Sequence, residues 1–389
     1  MNAGCEDAGR AHPARPLRIL HCLRAPVGGL FRHVCDLTAE LARRGHAVAA
    51  VCDNSRGDQL TARRLERLQQ HLALGLLRLP MSRQIGVADL AAYRAIRQLV
   101  DKLRIDVIHG HGAKGGAYAR LVAQSRKRTG PAIACLYTPH GGSLHYHPKS
   151  AAGRLYMAIE RGLARATDAV IFESAYAAAR YAAQVGNVDC AIRTIPNGLR
   201  AEDFEPLGTT PTAADFLFVG ELRHLKGADL LLAAAARVHA VRPIRAVIVG
   251  DGPDAATYKA QASTRGLDQV VSFVGSLPVA EAFRLGRVLV VPSRAESFPY
   301  IVLEAAAAGL PILATAVGGI PEIVATTDTR LTAPEDVTGL AQAMLDVLAD
   351  PDAARARAAR LRASVARRLT VGGMTDGILD LYATFAGRT

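Results

Sequence analysis

The sequence lacks tryptophan altogether, and it has no apolar run near the roughly 18 to 20 residues that a membrane-spanning helix needs. We therefore expect no transmembrane segment. The first fifteen residues also lack an apolar stretch, and they carry Glu6, Asp7, Arg10 and Pro13. A secretory signal needs an apolar stretch, so residues 1–15 are predicted to form a disordered leader and the protein to be cytoplasmic.

Cysteines are few, and no two of them form a C-x-x-C pair. Several lie inside apolar, strand-like runs, where a thiol is usually a small buried hydrophobic group. The pattern argues against a cysteine-ligated metal and indicates a reducing compartment. The six cysteines are Cys5, Cys22, Cys35, Cys52, Cys135 and Cys190.

Acidic residues are scarce in the first half of the chain only. The formal net charge is +12, but residues 1–199 contain 28 Lys and Arg against 14 Asp and Glu, and residues 200–389 contain 19 against 21. A basic surface that only aids solubility explains this excess. Attraction to an anionic membrane surface, at the inner face of the membrane, or to a phosphate-bearing acceptor explains it equally. Nucleic acid is disfavoured, because the basic residues are not interleaved with stacking aromatics.

Short β-rich runs alternate with longer helical patterns along the whole chain. This alternation is typical of βαβ units around parallel sheets. The predicted strands of the first half are Arg18–Leu23, Ala47–Cys52, Leu76–Leu79, Asp106–His109, Ala132–Tyr137, Ala169–Phe172 and Ile192–Ile195.

A turn at Pro196-Asn197-Gly198 interrupts the alternation, which then starts again. The second series of predicted strands comprises Phe216–Val219, Ala246–Val249, Val271–Val274, Val288–Val291 and Ile312–Ala314. Two doubly wound α/β domains follow from this pattern, with a ligand beyond the carboxyl ends of the strands. We predict an N-terminal domain over 16–199, a C-terminal domain over 200–368, and a C-terminal helix over 369–389 that packs back toward the first domain.

Two carboxylates follow the predicted strand that ends near Val291. Glu296 lies in the loop, and Glu304 lies about one turn into a helix predicted to start near Pro299. A carboxylate that accepts two vicinal hydroxyls makes charge-assisted bonds worth roughly 1.5 to 3 kcal/mol each, and a helix N-terminus offers free amides to an anion. Taken alone, the pair is explained as well by a helix cap at Glu296 and a solvated helix face at Glu304.

The same segment continues Glu-Ala-Ala-Ala-Ala-Gly-Leu-Pro and then Val-Gly-Gly-Ile-Pro-Glu. It resembles the E-x7-E motif of retaining glycosyltransferase family four, whose members have the GT-B fold of two Rossmann-like domains facing a central cleft. The resemblance implies that Glu304 holds the ribose hydroxyls of a donor and that Glu296 contacts the donor sugar, with Ser297 and Phe298 in the same donor-binding loop. Pro299 departs from the usual Gly of the family and removes one amide.

Two cations follow an earlier strand that ends at Val219-Gly220. Arg223 and Lys226 lie in the loop before the next helix, where positive charge suits a diphosphate and its departure as a leaving group. The loop is similar to the family's Gly-Arg-Leu-x-x-x-Lys-Gly segment, which implies that these side chains grip the donor diphosphate. Lys226 matches that pattern directly. Glu221 occupies the family's usual Arg position, and Arg223 is the proposed substitute.

A glycine-rich turn, Val249-Gly250-Asp251-Gly252-Pro253, fits G-x-G-x-x-A with Ala255. A dinucleotide site also needs an acidic residue about twenty positions later, and that residue is missing. The family resemblance implies instead that this turn borders the nucleotide base. Tight strand-to-helix packing is an equally good explanation of the glycines.

Gly28 and Gly29 follow the first predicted strand and precede a helix. Paired glycines let a ligand approach the backbone closely, and the helix dipole favours negative charge there by about 0.3 to 1 kcal/mol. The resemblance implies that this loop lines the donor diphosphate.

Histidines end two further strands. His140 matches the family histidine that lies near the donor sugar, where an imidazole can donate to a hydroxyl or a developing charge. His109 and His111, with His145 and His147, invite a metal-site interpretation. No Asp, Glu or Cys shares their segment at ligand spacing, and the resembled family needs no metal, so we predict neither a metal nor a cofactor.

The resemblance implies transfer of a hexosyl group with retention, from a UDP- or GDP-linked sugar to a glycan or lipid-linked acceptor in cell-surface polysaccharide synthesis. The predicted catalytic residues are His140, Arg223, Lys226 and Glu296. A nucleotide-sugar epimerase of the same architecture and a non-catalytic sugar-nucleotide-binding subunit remain alternatives. An NAD-binding oxidoreductase is disfavoured by the missing acidic residue.

Overall fold

The structure, a computed structural model, describes residues 15–54, 59–82, 84–142, 149–205, 207–208 and 210–387. The chain divides into two compact units. The N-terminal unit comprises Met1–Gly198 together with Val371–Thr389, and the C-terminal unit comprises Leu199–Thr370. The predicted boundaries after residues 199 and 368 lie within two residues of this division. Residues 1–14 of the predicted leader lie outside the described residues.

The N-terminal unit is built on a seven-stranded sheet in the order β3-β2-β1-β4-β5-β6-β7, and all described pairings in it are parallel. Parallel strands covered on both faces are apolar almost throughout, which is why they were recognisable from short apolar runs. The order reverses between β1 and β4, so the carboxyl ends of these two strands flank a topological switch point. The strands are β1 Arg18–Leu23, β2 Ala47–Asp53, β3 Gly75–Leu79, β4 Val107–His111, β5 Ala134–Thr138, β6 Ala169–Phe172 and β7 Ala191–Thr194.

Helices cover this sheet and complete its core. The last helix of the chain packs into the same core, where Ile378 and Tyr382 join Ile19 of β1 and Phe31. The segment predicted to return to the first domain, 369–389, thus contains a helix of the N-terminal unit. The helices of this unit are α1 Gly28–Arg43, α2 Gln59–Gln69, α3 Ala88–Leu103, α4 Gly112–Thr129, α5 Ala151–Ala164, α6 Ala175–Val185 and, at the end of the chain, α14 Val371–Ala386.

The C-terminal unit has a six-stranded sheet in the order β10-β9-β8-β11-β12-β13, again with parallel pairings throughout the described part. The last strand was not predicted, because two half-buried residues carry no readable pattern. The strands are β8 Ala214–Val219, β9 Ala246–Val249, β10 Val271–Phe273, β11 Gly286–Val291, β12 Ile312–Thr315 and β13 Leu331–Thr332.

One helix of the C-terminal unit is more buried than its basic sequence suggests. The basic run Ala353–Arg368 reads as a solvated helix, but the structure buries a stripe along it that includes Ala358, Leu361 and Val365. These positions recur at helical spacing, and Leu361 and Val365 pack into the unit's core. The helices are α7 Ala228–Val241, α8 Ala255–Thr264, α9 Val279–Phe283, α10 Tyr300–Ala307, α11 Ile320–Val324, α12 Val337–Ala349 and α13 Pro351–Arg368.

The length and hydropathy of the helices can be compared with what a transmembrane segment requires. Across the described parts of both units, no helix combines the length and the apolar character that crossing a membrane requires.

Candidate active site

Lys226 and Glu296, predicted from two separate motifs, are in direct contact. Their loops follow β8 and β11, which are neighbours in the sheet, so both loops leave its carboxyl edge side by side. Lys226 Nζ lies 2.7 Å from Glu296 Oε1, and the two side chains are 22% and 8% exposed. Ser293 Oγ donates to the same oxygen, also at 2.7 Å. Two donors on one oxygen fix the orientation of a mostly buried carboxylate.

Arg294 joins the two loops that carry this pair. Its guanidinium donates to both carboxylate oxygens of Asp229, at 2.8 and 2.7 Å, and to the carbonyl of His224 at 2.7 Å. Its backbone N–H donates to the carbonyl of Leu225 at 2.9 Å, and its Nε to Glu335 Oε1 at 2.5 Å. The turn that presents Lys226 is therefore held against the loop that presents Glu296.

The bond between Arg294 and Asp229 also changes the pKa of the Asp229 carboxyl group. Burial by itself raises the pKa of this carboxyl group, but the hydrogen bonds and the positive charge of Arg294 outweigh burial and hold it below its usual value. The bond to Asp229 likewise raises the pKa of Arg294. Neither residue was singled out from the sequence, because an Arg in a loop and an Asp in a helix have no distinguishing pattern.

Arg223 lies in a more exposed position than Lys226. Its Nε is 3.1 Å from Glu221 Oε2, and the two side chains are 41% and 55% exposed. The acidic residue at the family's usual Arg position is thus paired with the proposed substitute. An exposed pair of this kind contributes little to stability, so Arg223 can exchange Glu221 for an anionic ligand at low cost.

The remaining predicted donor residues of this unit lie around the start of α10. That helix begins at Tyr300, and its N-cap residue, Pro299, makes no side-chain capping hydrogen bond. Glu296 is therefore not the N-cap residue of this helix, and Glu304 is partly buried rather than on a solvated face. The side chain of Phe298 is 5% exposed and packs in the core, so a donor contact of this residue stays a prediction.

Gly318 explains why the Val-Gly-Gly-Ile-Pro segment belongs to this site. A Cβ on Gly318 would lie 1.9 Å from the carbonyl oxygen of Glu296, and its φ of +59° is a left-handed conformation. The next residue, Gly319, donates its N–H to the carbonyl of Ser297 at 2.7 Å. The segment thus supports the loop of Glu296 by backbone contact that only glycine allows.

In the N-terminal unit, Gly28 and Gly29 form the exposed start of α1. Gly28 has a φ of +67°, and no described atom lies within 4 Å of a Cβ built on it. The residue is glycine because of its backbone conformation rather than because of crowding. The N-cap residue of this helix, Val27, makes no side-chain capping hydrogen bond, and the amides at a helix N-terminus favour an anion.

Five histidines gather at the carboxyl ends of β1, β4 and β5, and we call them the histidine cluster: His21, His33, His109, His111 and His140. All but His33, which α1 supplies, lie on or next to these strands. Parallel register pairs His21 with His109, which places them on one face. His21 and His33 were not predicted as site residues, because the register between strands is not readable from either segment alone. His145 and His147 lie outside the described residues.

Three members of the cluster form a hydrogen-bonded chain that ends on a carboxylate. His21 Nδ1 lies 3.0 Å from His111 Nε2, and His111 Nδ1 lies 3.1 Å from His140 Nε2. His140 Nδ1 lies 2.5 Å from Glu173 Oε1. Both ring nitrogens of His140 therefore have protein partners, and contact with a sugar hydroxyl requires His140 Nε2 to leave His111.

The cluster is buried, and burial controls its charge. Desolvation lowers the pKa of His21 and of His33 to about 3, and it holds the pKa of His109 and His111 well below the usual value. For Glu173, burial raises the pKa, but the neighbouring His140 outweighs it and holds the pKa low. Near neutral pH these four imidazoles are thus uncharged, and the carboxylate of Glu173 is ionised.

Family models match most of the chain. The model described as Glycosyltransferase Family 4 covers residues 27–203, and the one described as Glycosyl transferases group 1 covers residues 213–350. Glycogen synthase of Mycobacterium tuberculosis is 31% identical over 360 residues, which is 86% of each chain. The D-inositol 3-phosphate glycosyltransferase of Acidothermus cellulolyticus is 28% identical and covers 94% of this chain and 87% of its own.

Solved structures show the same fold. Sucrose-phosphate synthase from Thermosynechococcus elongatus superposes with a TM-score of 0.80 at 23% identity, covering 96% of this chain and all of the other. HepE from Anabaena, solved with UDP-glucose, has a TM-score of 0.76 at 18% identity, covering 93% of this chain and 98% of its own. The chain is a glycosyltransferase that belongs to glycosyltransferase family four and has the GT-B fold.

Proposed function

We propose that the protein transfers a hexosyl group, with retention of anomeric configuration, from a nucleotide-diphosphate sugar to a glycan or lipid-linked acceptor in cell-surface polysaccharide synthesis. The observation that carries this proposal is the contact between Lys226 and Glu296. It joins a cation suited to a diphosphate and a carboxylate suited to sugar hydroxyls at adjacent strand ends.

Lys226 is assigned to the diphosphate of the donor. An ammonium group has three donors, so Nζ can keep its bond to Glu296 while it binds a phosphate oxygen. As the bond between the anomeric carbon and the diphosphate oxygen breaks, negative charge grows on the leaving group and Lys226 offsets it. Arg223 assists from its exposed position in the same loop.

Glu296 is assigned to the donor sugar, and Glu304 to the ribose. The acceptor hydroxyl oxygen forms the new bond to the anomeric carbon on the face that the diphosphate leaves, and its proton passes to a donor phosphate oxygen. Such a step needs no protein nucleophile and no metal. Gly28, Gly29 and His140 stay predictions from the family pattern, and His140 must first give up its contact with His111.

Uridine diphosphate is the donor class we favour, because related proteins were solved in complex with it. HepE was solved with UDP and glucose, and TarM of S. aureus was solved with UDP and α-GlcNAc-glycerol. Two further structural relatives, WaaB and WaaG, are named as enzymes of lipopolysaccharide synthesis. The role of these relatives in lipopolysaccharide synthesis and the basic first half of this chain both favour an acceptor at an anionic membrane surface.

The test is a panel of UDP- and GDP-sugars offered with lipid-linked and free glycan acceptors, followed by nucleotide release and NMR of the product's anomeric signal. We expect release only with an acceptor present, and product of the donor's configuration. Lys226→Ala should lose about a hundredfold in rate, whereas Lys259→Ala, an exposed lysine of α8, should not.

Other outcomes overturn the proposal. A new sugar-nucleotide isomer formed without acceptor identifies an epimerase, and donor binding without release under any condition identifies a binding subunit. An inverted product contradicts retention.

A further inference from the structure

His33, His111 and His140 converge from three separate elements of the N-terminal unit. One ring nitrogen of each lies within 4.8 Å of one ring nitrogen of both others. We propose that these three side chains form a binding site for one divalent transition metal ion of the Zn²⁺ type. The proposal concerns metal binding alone and does not rest on the proposed transferase reaction. A metal ion on His140 Nε2 would exclude the sugar contact predicted for the same nitrogen, so the two assignments of this nitrogen are alternatives.

The nitrogens that face one another are suitably placed. His111 Nδ1 and His140 Nε2 are 3.1 Å apart. Two imidazole nitrogens at that distance share either a proton or a metal ion, because zinc–nitrogen bonds of about 2.0–2.1 Å in a tetrahedron separate the nitrogens by about 3.3 Å. His33 Nε2 is buried and has no hydrogen-bond partner among the described residues. A ligand is the natural partner for that lone pair.

The outward nitrogens of two of these imidazoles are held by fixed oxygens. His33 Nδ1 lies 2.9 Å from Asn197 Oδ1, and His140 Nδ1 lies 2.5 Å from Glu173 Oε1. Metal-binding histidines almost always donate their second N–H to a carbonyl or carboxylate, which fixes the ring and makes the ligating nitrogen more basic. These two histidines already have that arrangement.

His111 has an outward partner of another kind. Its Nε2 lies 3.0 Å from His21 Nδ1. With a metal on His111 Nδ1, the proton of that ring lies on Nε2 and is donated to His21 Nδ1, while the proton of His21 lies on its own Nε2. Each of the two rings keeps one proton, so the rearrangement is balanced without an added acid or base.

The alternative trio within the histidine cluster is less suitable. His109 would have to join His21 and His111, but both of its nitrogens already have hydroxyl partners. His109 Nδ1 lies 2.7 Å from Tyr382 Oη, and His109 Nε2 lies 2.8 Å from Thr138 Oγ1. Binding there would break one of these bonds and leave a buried hydroxyl group without its imidazole partner, whereas in the first trio both nitrogens of the His111–His140 hydrogen bond would become metal ligands.

The ligand chemistry selects the class of metal. Three imidazoles with no thiolate suit Zn²⁺, Co²⁺, Ni²⁺ or Cu²⁺, whereas Mg²⁺ and Ca²⁺ require oxygen ligands. Three protein ligands leave a fourth tetrahedral position for water or another small ligand.

The experiment titrates Co²⁺ into the tag-free, metal-stripped full chain and follows the visible absorption of tetrahedral cobalt, with Zn²⁺ as competitor. We expect one equivalent of Co²⁺ to bind and Zn²⁺ to displace it. His33→Gln and His111→Gln should each weaken binding about a hundredfold or more, and Glu173→Gln about tenfold. His71→Gln, which changes an exposed histidine of the same unit, should bind like the parent protein.

A second measurement covers ligand variants that fail to fold. Zn²⁺ at one hundred times its Kd should raise the unfolding midpoint of the parent protein by about 5 °C, and the same concentration of Mg²⁺ should not. Absence of a tetrahedral cobalt spectrum, equal binding by His33→Gln and His71→Gln, or no midpoint shift with Zn²⁺ overturns the proposal.

Discussion

Lys226 and Glu296 lie 70 positions apart in the chain, yet Nζ of one is 2.7 Å from Oε1 of the other. The contact exists because β8 and β11 are adjacent and parallel, so the loops after them leave the sheet at one edge. In the proposed function, a donor would therefore meet a cation and a carboxylate whose positions are already set. Preorganisation of this kind lets charge stabilisation act without rearrangement during the reaction.

The first prediction concerns the carboxylate of that pair. Glu296→Gln keeps the size of the side chain and a hydrogen-bonding oxygen but removes the charge, so transfer should slow by about a hundredfold. The rate is measured by nucleotide release, and circular dichroism checks the fold. Glu281→Gln, an exposed carboxylate of α9, is the control and should keep the parent rate. Parent activity in Glu296→Gln would remove this residue from the mechanism.

The second prediction concerns the residue that joins the two loops. Arg294→Lys keeps the charge but loses the bidentate bonds to Asp229, so the turn of Lys226 should loosen. We expect unfolding free energy to fall by about 1–3 kcal/mol and kcat/KM to fall about tenfold. Urea unfolding and steady-state kinetics measure the two effects. Arg287→Lys, whose carboxylate neighbour is 3.6 Å away, is the control and should change neither.

The third prediction follows from the lowered pKa of Asp229. The usual value is 3.8, and the folded value lies below it, so ionisation of this carboxyl group stabilises the folded state above about pH 4. That contribution is lost as pH falls from 3.8 through the folded pKa. Urea unfolding between pH 3 and pH 6 should therefore give a shallower acid-side decline for Asp229→Asn than for the parent. An identical decline would show that Asp229 is not coupled to folding.

The fourth prediction compares two glycines with similar backbone angles. Gly318→Ala places a Cβ 1.9 Å from the carbonyl oxygen of Glu296, so it should cost more than about 2 kcal/mol of stability and most of the activity. Gly266→Ala has a φ of +68° but no described atom within 4 Å, so only the backbone strain of about 1 kcal/mol applies. Thermal unfolding measures the loss of stability in each variant, and the transfer assay measures the loss of activity. Equal losses would show that crowding at Gly318 is unimportant.

Strands and motifs in both units were predictable from local patterns. Apolar runs such as Arg18–Leu23 and Ala246–Val249 are the observed β1 and β9, because strands buried on both faces need such runs. The strand β13 was not predicted, because two partly buried residues are too few to show a periodicity. The buried stripe on α13 was not predicted, because its alanines are small and the arginines between them dominate the composition.

The site was predictable only in part, for a related reason. Glu296, Lys226 and Glu304 were predicted because each belongs to a motif with a fixed spacing. Arg294 and Glu173 were missed because their roles depend on partners 65 and 33 positions away. Phe298 has a motif position, yet its side chain is in the core, since the motif does not say which way a side chain turns.

The sequence by itself determined the order of strands and helices, the presence of two α/β units and the family, because these depend on short-range periodicity and on motifs a few residues long. Only the tertiary structure decided that five histidines from four segments share one buried cluster, and that His140 turns both nitrogens toward the protein. The physical reason is that strand register and burial bring side chains from distant segments within hydrogen-bonding distance. Both depend on how several segments pack together, so neither can be deduced from the sequence of one segment.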